Sequence, residues 1–248
     1  MGITHGKSDK ADSKRIAKYA FEKQESISPE KVASVIVFEL KKLFSQRDSF
    51  IQVRKTFTVH ISEWKHKLNL KDTDPFLRKF KSMLNLANRE IEKVEAEIVT
   101  LINADIELQT NYNLLTSIPG IGFVNAVATL IYTENFSTFT DPRKYASLCG
   151  VAPFENSSGT SLKGKPHVSF YSHKKLKSYL SMGARSSVVY DPQMKAFYKA
   201  KTEIGKHYGV VLNAVRFKLI LRMFAVVRNQ NPYVDNYSNK LAKSKKAA

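Results

Sequence analysis

The sequence predicts a mainly α-helical protein with a long coiled-coil arm and a compact helical C-terminal domain. Two observations carry that reading. Leu77, Phe80, Leu84, Ala87, Ile91, Val94, Ile98, Leu101, Asp105, Leu108, Tyr112 and Leu115 recur in alternating steps of three and four, the period of a helical seam. Ser28-Pro29 and Asp74-Pro75 pair a side chain that caps a helix with a proline suited to its first position, Asp141-Pro142 starts a short helix and Asp191-Pro192 breaks one.

Residues 1–24 are polar and basic, with one helix-prone stretch, Asp9 to Phe21. After Ser28-Pro29, Val32, Val35, Ile36, Leu40, Leu43 and Phe44 give a helix to about Phe44. A separate helix is expected from Asp48 to Lys67, with Phe50, Ile51, Phe57, Ile61 and Trp64 on its apolar side. The heptad series follows, flanked by Arg78, Lys79, Lys81, Arg89, Glu90, Glu92, Lys93, Glu95 and Glu97. The seam suggests a coiled coil or a long helical hairpin arm, and such charged flanks favour a dimerising or inter-domain coiled coil over a long core helix of a bundle. Ser117-Ile118-Pro119-Gly120-Ile121-Gly122 is a tight turn into a small apolar helix, Phe123 to Tyr132. A short helix starts at Asp141-Pro142 and runs to about Cys149. Residues 150–173 read as loops with a short hairpin. Helices follow at Lys174–Tyr190, Gln193–Lys201 and Val211–Arg228, and the lysine-rich tail from Asn229 reads as disordered.

Charge narrows the function. The 248 residues carry 40 Lys and Arg against 22 Asp and Glu, a net charge of +18. An excess of this size needs a polyanion to neutralise it, and nucleic acid is the partner it favours. An anionic membrane surface fits less well, because the cations are not gathered on one amphipathic stripe. No apolar run approaches the ~18 residues of a membrane span, and Met1 to Lys7 holds no apolar signal-peptide core. One cysteine, Cys149, excludes a disulfide framework and a Cys-based zinc site and fits a reducing cytoplasm.

Four constellations can carry chemistry. At Gly120 and Gly122 the backbone can turn tightly and offer helix-start amides to a phosphate, as a helix-hairpin-helix unit does; an ordinary connector is the equal alternative. Residues 156–190 contain no Asp or Glu but hold Lys163, Lys165, Lys174, Lys175, Lys177 and Arg185, with Phe170, Tyr171 and Tyr179 interleaved, the composition of a nucleic-acid surface. Asp9 and Asp12, three apart, share one helix face and can hold magnesium, although surface capping or salt bridging explains such a pair more simply. Ser186, beside Arg185, can attack a phosphodiester, although small residues at Ser186 and Ser187 also suit close helix packing.

Taken in order, these segments resemble the transposases of insertion-sequence family 110, bridge-RNA-guided DNA recombinases of bacterial mobile elements. Lys7-Ser8-Asp9-Lys10-Ala11-Asp12 is similar to the Lys-x-Asp-x-x-Asp motif that closes the family's acidic tetrad. Ser117 to Gly122, Leu148 to Pro153 with Ser158-Gly159, Leu176 to Leu180, Ala184 to Val188, Asp191-Pro192, Gly205-Lys206 and Asn213 to Leu219 continue the match, from about Gly6 to Tyr233. The resemblance implies a C-terminal remnant of an RNase H-like domain over 1–70, a coiled coil over 71–115, a transposase domain with a catalytic serine over 116–235 and a disordered basic tail over 236–248. It implies Ser186 as nucleophile, with Ser187 one step away, and Asp9 and Asp12 as the third and fourth acidic ligands for magnesium. Arg216 and Lys218, in the last matching segment, join the expected nucleic-acid surface. DNA, a guide RNA and a dimer or tetramer built through the coiled coil are the implied partners, in the bacterial cytoplasm at the nucleoid. The family's first two acidic residues precede the motif before which this chain starts. The chain therefore reads as a truncated or mis-started frame, or a C-terminal piece, expected to be inactive alone. The competing readings are a fragment that dimerises and binds nucleic acid without cutting it, and an architectural nucleic-acid binder.

Overall fold

The computed structural model describes residues 9–24, 34–152, 154–158 and 162–235, and the chain divides into two units, Met1–Ala33 and Ser34–Ala248. In the first unit, α1 (Asp9–Glu22) buries no residue. The Ser28-Pro29 cap and the tail over 236–248 lie outside the described residues.

The second unit starts with α2 (Val35–Leu68), one continuous helix where two were expected. Nothing in Ser45-Gln46-Arg47 breaks it, because none of these residues is Gly or Pro. Its apolar stripe passes through Val37, Leu40 and Phe44 to the buried Asp48. Asn69 ends the helix in the left-handed conformation (φ 48°). After a short reversal, Asp74 accepts a hydrogen bond from the Phe76 amide (2.8 Å) and Pro75 opens α3 (Pro75–Asn103).

The seam expected for the arm exists, but its partner is α2 of the same chain. Leu77, Ala87, Ile91, Val94, Ile98 and Ile102 are the buried residues of α3. Three cross-helix pairs fix an antiparallel register: Arg47 with Glu95, Phe57 with Phe80 and Trp64 with Phe76. At ~1.5 Å per residue, the 34 residues of α2 give an arm about 50 Å long. The single helix expected through Leu115 also stops early. Asp105, the one charged residue in the heptad series, accepts from the Leu108 amide (2.8 Å) and caps a new helix, α4 (Ile106–Thr116).

The body is built on α5 (Phe123–Tyr132), in which every residue from Asn125 to Ile131 is buried, as befits a helix apolar all round. α6 (Pro142–Leu148) starts at Asp141-Pro142, as expected. The hairpin β1 (Phe154–Ser158) and β2 (Leu162–His167) pairs antiparallel, Ser158 opposite Leu162 and Phe154 opposite His167, with an irregularity between Phe154 and Asn156. α7 (Lys174–Tyr190) has its expected bounds. Buried Asp191 then accepts from the Gln193 and Met194 amides to cap α8 (Pro192–Glu203) and pairs with Arg222 of α9 (Tyr208–Asn229). α9 crosses the body and buries Val215, Leu219, Ile220 and Met223 completely. The base of the arm shares this core through Leu40, Phe44 and Ile98. Among the described residues there are thus nine α-helices and one hairpin, and no helix is long and apolar enough to cross a membrane.

Candidate nucleic-acid interface

The site forms where α7 crosses the glycine turn. Gly120 adopts φ +96°, a conformation that side chains avoid. A Cβ at Gly120 would lie 2.5 Å from the Gly183 carbonyl oxygen and 2.7 Å from Ser187 Cβ, and one at Gly183 would lie 2.6 Å from the Gly120 carbonyl oxygen. The two glycines therefore let the turn and α7 touch backbone to backbone. This corrects the expectation for Gly120: it is used in packing and faces α7. Gly122, the cap position of α5, is exposed, with open space where a Cβ would stand.

That crossing separates the adjacent serines. Ser187 is fully buried against Gly120, and its hydroxyl donates to the Ala184 carbonyl (3.1 Å). Ser186 is half-buried, and among the described residues no hydrogen bond engages its hydroxyl. Of the two, Ser186 carries the accessible, uncommitted oxygen.

A second face of α7 gathers cations. Lys177, Ser181 and Arg185 follow at steps of four, so they stack on one side of the helix. Arg216 of α9 reaches the same place, its Nε donating to Ser181 Oγ (3.0 Å) and its Nη1 to Asn213 Oδ1 (3.1 Å). Burial, and then the charge of Arg216, lowers the Lys177 pKa; burial, and then the charge of Arg185, lowers that of Arg216. Arg216 thus couples electrostatically to both Lys177 and Arg185, and among the described residues no carboxylate pairs with any of the three. A bound phosphate would relieve that repulsion and receive charge-assisted hydrogen bonds.

A third face of α7 is tied to the arm. The Tyr179 hydroxyl donates to Asp48 Oδ2 (2.8 Å), and Lys175 Nζ lies 2.5 Å from the same oxygen. Arg47 pairs with Glu95 (2.6 Å) beside them and lies over the rings of Phe44 and Phe123. Burial, and then the hydrogen bond to Asp48, raises the Tyr179 pKa. Tyr179 therefore serves packing, and Lys175, still exposed, is paired with Asp48, where a free surface was expected. Asp48 was missed in the sequence. Its signal was its place on the stripe Val37, Leu40, Phe44, Asp48, where a carboxylate needs a partner. Ser186 follows Tyr179 by seven residues and shares this side of α7, so it is adjacent to the cation cluster and outside it.

The remaining candidates scatter. Lys174 is exposed in the first turn of α7. Lys163 and Lys165 sit on β2, and their side chains lie outside the described part. Lys218, two residues from Arg216, points to another side of α9, its Nζ 4.6 Å from the Phe197 ring centroid, and lines a cleft of about 300 Å³ with Gln193, Met194 and Arg222. Asp9 and Asp12 are exposed on α1, and Asp12 is paired to Arg15 at 3.2 Å. Among the described residues no group of three or more His, Cys, Asp or Glu side chains could hold a metal, so the carboxylates present do not complete a magnesium site. Cys149 is buried, and burial pushes its thiol up to about 12, which excludes it as a nucleophile.

Comparison with known proteins places part of this body beside known sequences. Residues 112–199, from α4 into α8, match the model of the transposase IS116/IS110/IS902 family. The pilin gene-inverting protein of Moraxella lacunata is 31% identical over 144 residues, which cover 58% of this chain and 45% of that protein. The protein of the same name from Moraxella bovis gives the same figures. An uncharacterized 43.6 kDa protein of insertion element IS110 from Streptomyces coelicolor is 28% identical over 152 residues, covering 61% of this chain and 36% of that protein. The chain thus spans less than half the length of the curated relatives it matches.

Proposed function

We propose that this chain handles DNA in transposition or site-specific recombination, binding the phosphate backbone at Lys177, Arg185 and Arg216 and presenting Ser186 to a phosphodiester. The observation that carries the reading is the contrast on α7: Ser187 is buried and hydrogen-bonded, whereas Ser186 is only half-buried, with no hydrogen bond on its hydroxyl among the described residues, beside a cation cluster without carboxylates. In the reaction, Ser186 Oγ forms a bond to phosphorus as a P–O bond to deoxyribose breaks. The hydroxyl proton leaves to a base and the departing oxygen takes up a proton. Cations near the phosphate favour the charge that develops there.

The family resemblance adds a guide RNA, a magnesium-bearing acidic site and work at the nucleoid. Asp9 and Asp12 are this chain's residues toward that acidic site; no step is derived through it, because the described carboxylates do not complete it. Assembly into dimers or tetramers uses the outward apolar residues of the arm, among them Val53, Val59, Met83 and Leu86, since α2 already fills the seam of α3. A second reading, binding without cleavage, is favoured by one observation: among the described residues no base is hydrogen-bonded to Ser186.

A bridging phosphorothiolate duplex decides between the two readings, because its thiolate leaves without needing a proton, so that the only proton to place is that of the Ser186 hydroxyl, which passes to water. On a denaturing gel, a pool of such duplexes with randomised flanks is expected to give a covalent adduct that Ser186→Ala abolishes. Ordinary DNA is expected to give none with this chain alone. An adduct kept in Ser186→Ala and lost in Ser187→Ala would move the nucleophile. No adduct at all would leave a binding function only.

A further inference from the structure

The turn ahead of α7 presents two aromatic rings to water. Phe170 is 88% exposed and Tyr171 is 92% exposed, with ring centroids 6.0 Å apart and planes at 88°. Each such side chain offers ~150–250 Å² of largely apolar surface. Single exposed apolar residues are ordinary; two in succession on a braced turn point to a partner.

The bracing is local and specific. Ser169 Oγ accepts from the Tyr171 amide (3.2 Å), and the Ser172 amide donates to the Ser169 carbonyl (3.1 Å). Ser172 packs under Gly150, where a Cβ would come within 2.8 Å of its hydroxyl. His173 donates its amide to the Leu148 carbonyl (2.7 Å), lies against Tyr132 at 4.6 Å and caps α7 by accepting from the Leu176 amide (3.2 Å). The turn is therefore closed on itself and its C-terminal end is fixed to the body, while its rings stand free. Exposed Lys174 follows at once, and the sequence from residue 156 to residue 190 holds no carboxylate. An apolar protein partner explains the rings alone. Aromatic faces beside cations, with no acid among them, fit a nucleic-acid strand whose bases are unstacked.

We infer that Phe170 and Tyr171 form a wedge that stacks on unpaired DNA bases, at a strand opening or end, with Lys174 on the adjoining phosphate. This rests on the DNA-binding reading above and deepens it: the preferred substrate is an opened duplex, not an intact one. Stacking platforms tolerate any base, so the wedge favours structure over sequence.

Fluorescence anisotropy with the full chain tests it. The probes are an intact duplex, the same duplex with a central unpaired bubble, the single DNA strand and an RNA strand of the same sequence. The chain is expected to bind the bubble and the single DNA strand more tightly than the duplex. Phe170→Ala/Tyr171→Ala is expected to weaken bubble and single-strand binding about 10-fold or more and to leave duplex binding and the melting temperature unchanged, because both rings stand in solvent. Tyr171→Phe should keep full affinity. Equal losses on bubble and duplex, or no loss on either, would overturn the wedge and leave DNA binding standing. A loss confined to RNA would overturn its assignment to DNA. Unchanged DNA binding with lost self-association in sedimentation would make the rings a contact between copies. Failure of the unmodified chain to bind any probe would overturn the DNA-binding reading itself.

Discussion

α3 and α7 each bury one stripe and expose the rest, yet their exposed faces differ in kind. α3 carries five cations and four glutamates, and two of those glutamates answer cations, Glu90 with Lys93 and Glu95 with Arg47. α7 carries Lys174, Lys175, Lys177 and Arg185 and no carboxylate. Lys175 finds its partner on α2, in Asp48; Lys177 and Arg185 find another cation, Arg216. Both helices are rich in charge, so the amount does not separate a solvated face from a binding face. The mixing of signs does, because a face of one sign is left with repulsion that only an outside anion relieves.

The buried stripes respond most strongly. Ile98 of α3 is fully buried between the arm and the core. Ile98→Lys places a charge there without a partner and is expected to cost about 4 kcal/mol or more, seen as lost helicity and a lower denaturation midpoint. If the unmodified chain is monomeric in light scattering, the substitution should unfold the arm without changing the oligomeric state.

The stripe of α7 is limited by contact distance. Gly120→Ala drives a Cβ into the Gly183 carbonyl at a left-handed backbone position, and about 3 kcal/mol of stability should be lost. Gly122→Ala, in open space, should change stability by no more than about 0.5 kcal/mol. Equal effects at the two glycines would contradict the backbone contact and restore the phosphate-binding reading of Gly120.

The cap of α7 gives the smaller, pH-dependent effect. Burial lowers the His173 pKa below its ordinary 6.5, so the folded protein resists protonating it. Its stabilising contribution is complete above the unfolded imidazole range and is lost as the pH falls through about 6.5 toward the lower folded value. The protonated Nδ1 can no longer accept from Leu176. His173→Ala should cost about 1 kcal/mol at pH 8 and flatten the decline of thermal stability below pH 6.5.

Local signals in the sequence were reliable. The cap at Asp74, the helix start at Asp141, the break at Asp191-Pro192, the apolar α5 and the bounds of α7 all follow from neighbours within a few residues. Long-range pairing was not legible. The heptad series announces a seam but does not say whether the partner is another copy or the preceding helix of the same chain. The break at Asp105 was visible only as a charge in an apolar series. Tyr179 and Asp48 stand 131 residues apart, and nothing in either local sequence joins them. The choice between Ser186 and Ser187 needed the Gly120–Gly183 contact, since one residue of helix rotation decides which hydroxyl meets solvent.

The salt dependence of DNA binding tests the central contrast most directly. Lys177, Arg185 and Arg216 replaced together by alanine should flatten the slope of log affinity against log salt by about 2–3 and weaken binding to all sequences alike. Lys79, Arg89 and Lys93 of α3 replaced together, an equal loss of charge, should leave that slope nearly unchanged. Equal flattening by the two triple variants would contradict the account and reduce the interface to net charge alone.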